Sequence, residues 1–181
     1  MKDQLIVLVD EKGDPIGIAP KLASHHDHTP LHLAFSVYIF NSAGNLLVTK
    51  RASVKKVWPS VWTNSCCGHP MPDESFECAI KRRAYYELGI KVKSIQKLVG
   101  NYRYITPPNN GIIENEFCPI FIATTTDTPR INYEEVDDYK WMKLSEFIKG
   151  ASDDKVDKYS WWCKDQIKYL VGNQVFIKYL K

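Results

Sequence analysis

A stretch of eight residues, TNSCCGHP at positions 63–70, contains side chains that carry out chemistry in many proteins. Two adjacent cysteines, Cys66 and Cys67, are followed there by Gly68 and His69. A thiol and an imidazole at this spacing could belong to a metal site, to a disulfide, or to a reactive thiol beside a metal ligand. If the stretch is extended, Cys67 and His69 lie on one side and Cys66 points away. The neighbouring glycine and histidine favour a functional thiol at Cys67.

Histidines and glutamates form a second candidate site. A single histidine is more often a polar surface residue than a ligand. Glu114 and Glu116 change that balance, because residues two apart on a strand point to the same face, where two carboxylates repel each other unless a cation compensates. Imidazoles and carboxylates together suit a divalent ion such as Mn²⁺, Zn²⁺ or Mg²⁺. The candidate histidines are His25, His26, His28, His32 and His69.

Basic residues form two further clusters, Arg51 with Lys55 and Lys56, and Arg82 with Arg83. Runs of basic residues are usually solvated faces of a protein. The alternative is capture of a phosphate or diphosphate, because the planar guanidinium of arginine binds two oxygens at once and lysine adds a point charge. The clusters alone are compatible with either interpretation.

One clear helix, over residues 73–89, must position part of these clusters. Asp73 is the expected N-cap, and Gly89 is expected to end the helix in a left-handed conformation. Arg83 and Glu87 are expected along the margin of the buried side. The buried stripe itself is predicted where apolar residues recur every four positions, at Phe76, Ile80, Ala84 and Leu88.

Alternating apolar residues and turn signals predict strands on both sides of this helix. Expected strands cover an N-terminal hairpin, then residues 31–40, 46–50, 90–93, 102–105 and 112–123. From Leu144 onward the chain is expected to form two helical stretches joined by a charged loop. Strands around one capped helix, followed by a helical tail, indicate an α+β fold, an α/β/α sandwich.

Length and charge narrow the function classes. The 181 residues fit one domain, over residues 1–181, and are enough to bury a core. The net charge of +3 is spread over both halves, so neither nucleic acid nor a membrane surface is the expected partner. The apolar run before Asp10 is too short for a signal peptide or a membrane span, which predicts a cytosolic location.

The cysteines are expected to be reduced, because they are odd in number and lack paired spacings. A bond between Cys66 and Cys67 would close a strained ring. Cys78, Cys118 and Cys163 are interpreted as small buried apolar side chains.

The segment from Gly68 to Ile90 resembles the Nudix box, a glycine, glutamate and arginine pattern that runs into a helix. Where Nudix hydrolases carry metal-binding glutamates, this chain has Arg83 and Tyr86, and Glu87 remains. The resemblance implies a Nudix-like fold, with a mixed sheet flanked by helices, that holds a diphosphate without cutting it. The matching positions are Gly68, Glu74, Arg82, Glu87, Gly89 and Ile90.

Longer segments resemble the type I isopentenyl-diphosphate delta-isomerase family, among them LHLAFSVYIFN, LLVTKRASVKKVWPSVWTNSCCGHP and GIIENEFCPIF. The resemblance implies that Cys67 is the catalytic thiol and that Glu116, assisted by the phenol of Tyr104, is the second catalytic group. Trp161 is implied to face the reacting carbon. Implied metal ligands are His25, His32, His69, Glu114 and Glu116, and implied diphosphate contacts are Lys21, Arg51, Lys55 and Arg83.

The same resemblance assigns the remaining residues. Glu87 is implied to hold a Mg²⁺ ion that arrives with the substrate, and the His/Glu site to hold Mn²⁺, Zn²⁺ or Mg²⁺. His26 and His28 match no ligand and are expected at the surface. Cys66 is expected to pack in the core.

The implied reaction converts isopentenyl diphosphate to dimethylallyl diphosphate through a tertiary carbocation-like state, which needs an acid, a base and no water between them. The expected partner is therefore a small-molecule substrate, for a protein that is a monomer or a homodimer. Two other classes stay open. A Nudix diphosphate hydrolase would retain the glutamates that Arg83 and Tyr86 replace, and a metal- or phosphate-binding module has no need for Cys67 opposite Glu116.

Overall fold

The computed structural model describes residues 5–153 and 158–180. Its strands are β1 (Leu5–Val9), β2 (Pro15–Pro20), β3 (His32–Leu33), β4 (Phe35–Phe40), β5 (Leu46–Arg51), β6 (Trp62–Thr63), β7 (Cys66–Gly68), β8 (Lys93–Val99), β9 (Arg103–Ile105), β10 (Asn115–Phe117), β11 (Ile120–Thr124) and β12 (Val136–Met142). Its helices are α1 (Lys21–Ser24), α2 (Phe76–Leu88), α3 (Leu144–Ala151), α4 (Trp161–Leu170) and α5 (Gln174–Ile177).

The strands form two sheets. The first has the order β2-β1-β3-β10-β9, and the second the order β12-β5-β4-β11-β8, with β6 beside β5 and β7 beside β4. Both sheets are mixed, because β3 and β10, and likewise β4 and β11, run parallel while their other neighbours run antiparallel. The strand predicted over residues 31–40 is two strands, because the chain passes from the first sheet to the second at Ala34.

Two apolar cores lie on opposite faces of the second sheet. Strand β4 alternates between them, with Tyr38 and Phe40 in the core beneath α3, α4 and α5, and Phe35, Val37 and Ile39 in the core beneath α2. Helices therefore cover both faces of a mixed sheet. The predicted α+β fold, with its α/β/α layering, is confirmed.

Helix α2 ends as predicted but begins later. Gly89 follows its last residue with a φ of 64°, in the left-handed region. The prediction of Asp73 as N-cap is wrong, because the side chain of Ser75 accepts the N–H of Cys78 at 3.2 Å. Asp73 has a φ of 62°, whereas an N-cap residue is extended.

The face that α2 buries is wider than predicted. Ile80, Ala84 and Leu88 are fully buried in the core, as expected. Arg83 and Glu87, expected at its margin, are also buried, with 6% and 8% exposure. Because α2 packs against β7, these two charged side chains lie beside the strand that carries the candidate thiol.

Three further expectations differ from the structure. The strand predicted over residues 90–93 is wrong, because Ile90 and Val92 fill the core as part of a connection and β8 begins only at Lys93. Cys78 is exposed rather than buried, since it lies off the apolar stripe of α2. The tail contains the two predicted helices α3 and α4 and also α5, and part of the predicted charged loop falls outside the described residues. No helix in the described ranges is long and apolar enough to cross a membrane.

Candidate active site

Neighbouring strands of the first sheet place three predicted site residues side by side. His32 of β3 is paired with Glu116 of β10, and Glu116 is paired with Tyr104 of β9. Paired residues on adjacent strands project to the same face, so these side chains meet at one surface. Glu114 lies two positions before Glu116 and shares that face.

Three imidazoles form a tight group at this surface. The ring centroids are 4.9 Å apart for His25 and His32, 4.9 Å for His32 and His69, and 5.6 Å for His25 and His69. Nδ1 of His25 lies 2.6 Å from the carbonyl oxygen of Lys21, and Nδ1 of His32 lies 2.9 Å from that of Pro30. Carbonyl oxygens only accept, so both Nδ1 atoms carry a proton, and Nε2 is the atom that each ring turns toward the group.

The two glutamates complete the group. Oε2 of Glu114 lies 3.4 Å from Nε2 of His25, and Oε1 of Glu116 lies 3.1 Å from Nε2 of His69. The other oxygen of Glu116 accepts the hydroxyl of Tyr104 at 2.6 Å. Burial, followed by the negative charge of Glu114, raises the pKa of Glu116 to about 7. Glu116 therefore joins the histidine group to a phenol donor.

The chemistry of this group fits a divalent metal ion. Within the described ranges, Nδ1 of His69 and Oε2 of Glu114 are buried without a hydrogen-bond partner. Burial lowers the pKa of His32 to about 4 and that of His69 well below its usual value, so both imidazoles are neutral, as metal binding requires. Ligand atoms of His25, His32 and His69 lie within 4.8 Å of one another, as do those of His32, Glu114 and Glu116.

The thiol of Cys67 lies on the neighbouring sheet. Strand β7 pairs with β4 so that Cys67 is directly opposite Ser36. Its Sγ is 3.3 Å from Oγ of Ser36 and 3.2 Å from Oδ1 of Asn64, which accepts the thiol hydrogen. Burial raises the pKa of Cys67 to about 12, so the sulfur is protonated at neutral pH. Cys66 is buried in the core beneath α2, as expected from the alternation of an extended strand.

One cavity of about 340 Å³ brings these groups together with five basic side chains, those of Lys21, Arg51, Lys55, Lys56 and Arg83. Arg83 pairs with Glu87 at 2.6 Å and with Glu135 at 3.3 Å, and Lys55 also contacts Glu135. Burial, followed by the positive charges of Arg83 and Lys55, lowers the pKa of Lys21 to about 8. This crowding of positive charge favours an anionic ligand.

Trp162, rather than the predicted Trp161, is the indole that lines this cavity. Helix α4 begins at Trp161, and successive helical residues point about 100° apart, so the two indoles face different surroundings. Nε1 of Trp162 donates to Oγ1 of Thr63 at 3.0 Å, and the guanidinium of Arg51 lies 5.3 Å from its ring centroid. Trp161 lines a separate cavity beside α3. Both indoles stack on Tyr104, with ring centroids 5.8 Å apart for Trp161 and 6.4 Å apart for Trp162.

Two further residues line or contact the site although the sequence analysis did not predict them, Asn64 and Glu135. Asn64 belongs to the TNSCCGHP stretch, and its position three residues before Cys67 is the signal that could have found it. Glu135 lies in a run of acidic residues with no distinguishing spacing. His26 and His28 lie outside the metal group, with side chains 48% and 88% exposed.

Comparison with known proteins agrees with this fold. A NUDIX domain model matches residues 30–164. A solved structure from Deinococcus radiodurans superposes with a TM-score of 0.69 at 17% identity, covering 91% of this chain and 98% of that one. A MutT protein from Methanosarcina mazei Go1 superposes with a TM-score of 0.58 at 16% identity, covering 77% of this chain and 91% of that one. The fold and the site thus define a protein of the NUDIX domain class.

Curated relatives narrow the class further. The chain is 45% identical over 170 residues to an isopentenyl-diphosphate Delta-isomerase of Saccharopolyspora erythraea, covering 92% of this chain and 85% of the relative. It is 47% identical over 150 residues to the enzyme of the same name from Shigella dysenteriae, covering 83% of this chain and 82% of the relative. The chain therefore belongs to the isopentenyl-diphosphate Delta-isomerase family of NUDIX domain proteins.

Proposed function

We propose that Cys67 and the pair formed by Glu116 and Tyr104 carry the two proton transfers that convert isopentenyl diphosphate to dimethylallyl diphosphate, the reaction of this family. The observation that supports this assignment is that a partly buried thiol and a buried carboxylate–phenol pair line one cavity together with five basic side chains. Hydrolysis is disfavoured, because Arg83 and Tyr86 replace two glutamates that gather the metals of Nudix hydrolases.

The two candidate groups suit the chemistry of an alkene. An unactivated alkene is a very weak base, so its protonation needs a strong local acid and a cavity from which water is excluded. One group adds a proton at one carbon, and the other removes a proton two bonds away. Glu116 and Tyr104 are each only 7% exposed, so little water reaches their side of the cavity. The hydroxyl of Tyr104 fixes the orientation of the Glu116 carboxyl group.

The histidines and glutamates would hold the metal ion of the reaction. We assign the ion to a ligand set of nitrogen and oxygen atoms from His25, His32, His69, Glu114 and Glu116, which suits Mn²⁺, Zn²⁺ or Mg²⁺. When bound, the ion supplies positive charge that stabilises the carboxylate form of Glu116.

The basic side chains would hold the diphosphate. Lys21, Arg51, Lys55 and Arg83 face the same cavity as the proposed catalytic groups, so they anchor the charged end of the substrate. Anchoring that end orients the small hydrocarbon between the two proton-transfer groups. Glu87, which lines the cavity beside Arg83, would hold a Mg²⁺ ion that accompanies the diphosphate.

Replacement of Arg83 by alanine should weaken substrate use. Hydrogen bonds to charged groups contribute about 1.5–3 kcal/mol, so kcat/KM is expected to fall by about 10- to 100-fold in steady-state kinetics. Lys81→Ala is the matched control, because Lys81 is half exposed on the same helix and pairs with Glu77. If the two variants have equal kcat/KM, Arg83 does not bind the substrate.

The two tryptophans should differ in their effect on turnover. A cation beside a desolvated indole gains about 2 kcal/mol, so Trp162→Leu is expected to lower kcat by about 30-fold. Trp161→Leu is expected to change kcat by less than about twofold, since Trp161 lies outside the cavity. Thermal denaturation of both variants checks that the fold survives. A larger loss for Trp161→Leu would return the cation-facing role to that residue.

Incubation with isopentenyl diphosphate, Mg²⁺ and Mn²⁺ in D2O, followed by NMR, tests the proposed function directly. We expect dimethylallyl diphosphate that carries deuterium, because the group that protonates the alkene exchanges its own proton with the solvent. Inorganic phosphate released without isomerised product would favour a hydrolase. Binding without either product would favour a metal- or phosphate-binding module.

The other expectations belong to the same proposal. We expect the protein to be cytosolic, to form one domain over residues 1–181 and to be a monomer or a homodimer. We also expect it to act on a small molecule and to bind neither nucleic acid nor membrane. Light scattering on the purified chain measures the oligomeric state.

A further inference from the structure

A chain of buried hydrogen bonds ends at the sulfur of Cys67. The hydroxyl of Tyr38 donates to Oε1 of Gln166 at 2.9 Å, and Nε2 of Gln166 donates to Oγ of Ser36 at 2.8 Å. Oγ of Ser36 lies 3.3 Å from Sγ of Cys67. Tyr38, Gln166 and Ser36 are each at most 1% exposed. A buried amide on the core face of α4 costs stability unless its hydrogen bonds are made, so Gln166 depends on both partners.

The directions of these bonds decide what Ser36 offers to the sulfur. A hydroxyl group that accepts from Gln166 still has its own hydrogen to donate. Two sulfur atoms lie within reach of that hydrogen, Sγ of Cys67 at 3.3 Å and Sγ of Cys118 at 3.5 Å. The pairing of β4 with β7 sets Ser36 directly opposite Cys67. Because the thiol hydrogen of Cys67 goes to Oδ1 of Asn64, the hydroxyl hydrogen of Ser36 is the one left for the contact with the Cys67 sulfur.

Asn64 gives the sulfur the opposite environment. Nδ2 of Asn64 donates to the carbonyl oxygens of Val37 and Cys66, each at 3.1 Å. Only Oδ1 of Asn64 remains for the sulfur, at 3.2 Å, and it can only accept. The sulfur of Cys67 thus has a donor on one side and an acceptor on the other, which fixes both its position and the direction of its hydrogen.

We propose that Ser36 and Gln166 are positioning residues for Cys67, an inference that rests on the proposed role of Cys67 in proton transfer. Gln166 holds the hydroxyl of Ser36 so that it points at the sulfur. When the proton of the S–H bond passes to a carbon of the substrate, the bonding electron pair stays on sulfur, where the hydroxyl of Ser36 donates to it. Tyr38 orients the amide of Gln166 from within the core.

Steady-state kinetics of Ser36→Ala and Ser36→Thr test this role. Loss of a hydrogen bond to a charged atom is expected to lower kcat by about 10- to 100-fold, with KM within about twofold of wild type, because Ser36 acts on the sulfur and not on the diphosphate. Ser36→Thr keeps the hydroxyl and is expected to recover most of the loss. Tyr159→Phe is the matched control, because it removes a hydroxyl from the same core, and that hydroxyl contacts Met142 rather than Tyr38, Gln166 or Ser36.

A double-mutant cycle makes the test sharper. If both residues act through one chain, Ser36→Ala combined with Gln166→Met should lower kcat no further than the more damaging single substitution. Circular dichroism and metal content equal to wild type show that the variants are folded. Additive losses, or a Ser36→Ala kcat within twofold of wild type, would overturn the inference. Should wild type itself form no dimethylallyl diphosphate, the proposed function fails instead, and the two failures are therefore distinct.

Discussion

Cys67→Ala is expected to lose about 10²–10⁴-fold in kcat while keeping its fold and its metal. The thiol of Cys67 lines the cavity and is held there between Ser36 and Asn64. Alanine at this position removes the transferable proton and little else. The measurement is dimethylallyl diphosphate formation, with inorganic phosphate followed in parallel.

Cys66→Ala is the matched control for this prediction. Cys66 is 2% exposed and packs beneath α2, so its loss should lower the stability of the protein but leave turnover within about twofold. The two substitutions differ only in which face of β7 they alter. Equal losses of activity in the two variants would contradict the assignment of Cys67.

His69→Ala is expected to lose both the bound metal and nearly all activity. Even outer partners of metal ligands typically contribute 10- to 100-fold in metal affinity, so removal of a direct ligand should cost about 100-fold or more. Nε2 of His69 lies 3.1 Å from both Nε2 of His32 and Oε1 of Glu116, so its removal opens the group at its centre. Elemental analysis and the isomerase assay measure the two losses.

His28→Ala controls for the general effect of removing a histidine. Its side chain is 88% exposed and lies outside the group, so metal content and activity should match wild type. Treatment of the wild-type protein with a chelator should reproduce the loss seen in His69→Ala. Added Mn²⁺ or Mg²⁺ should then restore the activity of the wild-type protein but not that of His69→Ala. Equal metal content in His69→Ala and His28→Ala would remove His69 from the ligand set.

Local periodicity predicted the parts of the site that lie within one strand or helix. Alternation put Glu114 and Glu116 on one face, and the structure shows their carboxyl groups in one cluster. Gly89 ends α2 as expected, because a left-handed residue after a helix is a local requirement. The roles of these residues, by contrast, were inferred from a family resemblance.

Features set by distant parts of the chain could not be predicted. The resemblance implied Trp161, but the packing of α4 decides which of the two adjacent indoles faces the cavity, and that indole is Trp162. The N-cap of α2 depended on whether Asp73 or Ser75 is extended, which the preceding loop decides. Gln166 reaches Ser36 across 130 residues of sequence, which no local pattern encodes.

The place where the chain changes sheets has a consequence for the evolution of the cavity. Two parallel segments pass side by side there from the first sheet to the second. The N–H of Ala34 donates to the carbonyl oxygen of Phe117 at 2.9 Å, and the N–H of Ser36 donates to the carbonyl oxygen of Pro119 at 3.2 Å. Glu116 lies just before this crossing, and Ser36, opposite Cys67, just after it. The separation of the two proton-transfer groups is therefore set by main-chain hydrogen bonds. Substitutions in the cavity wall can alter which hydrocarbon fits while that separation stays constant.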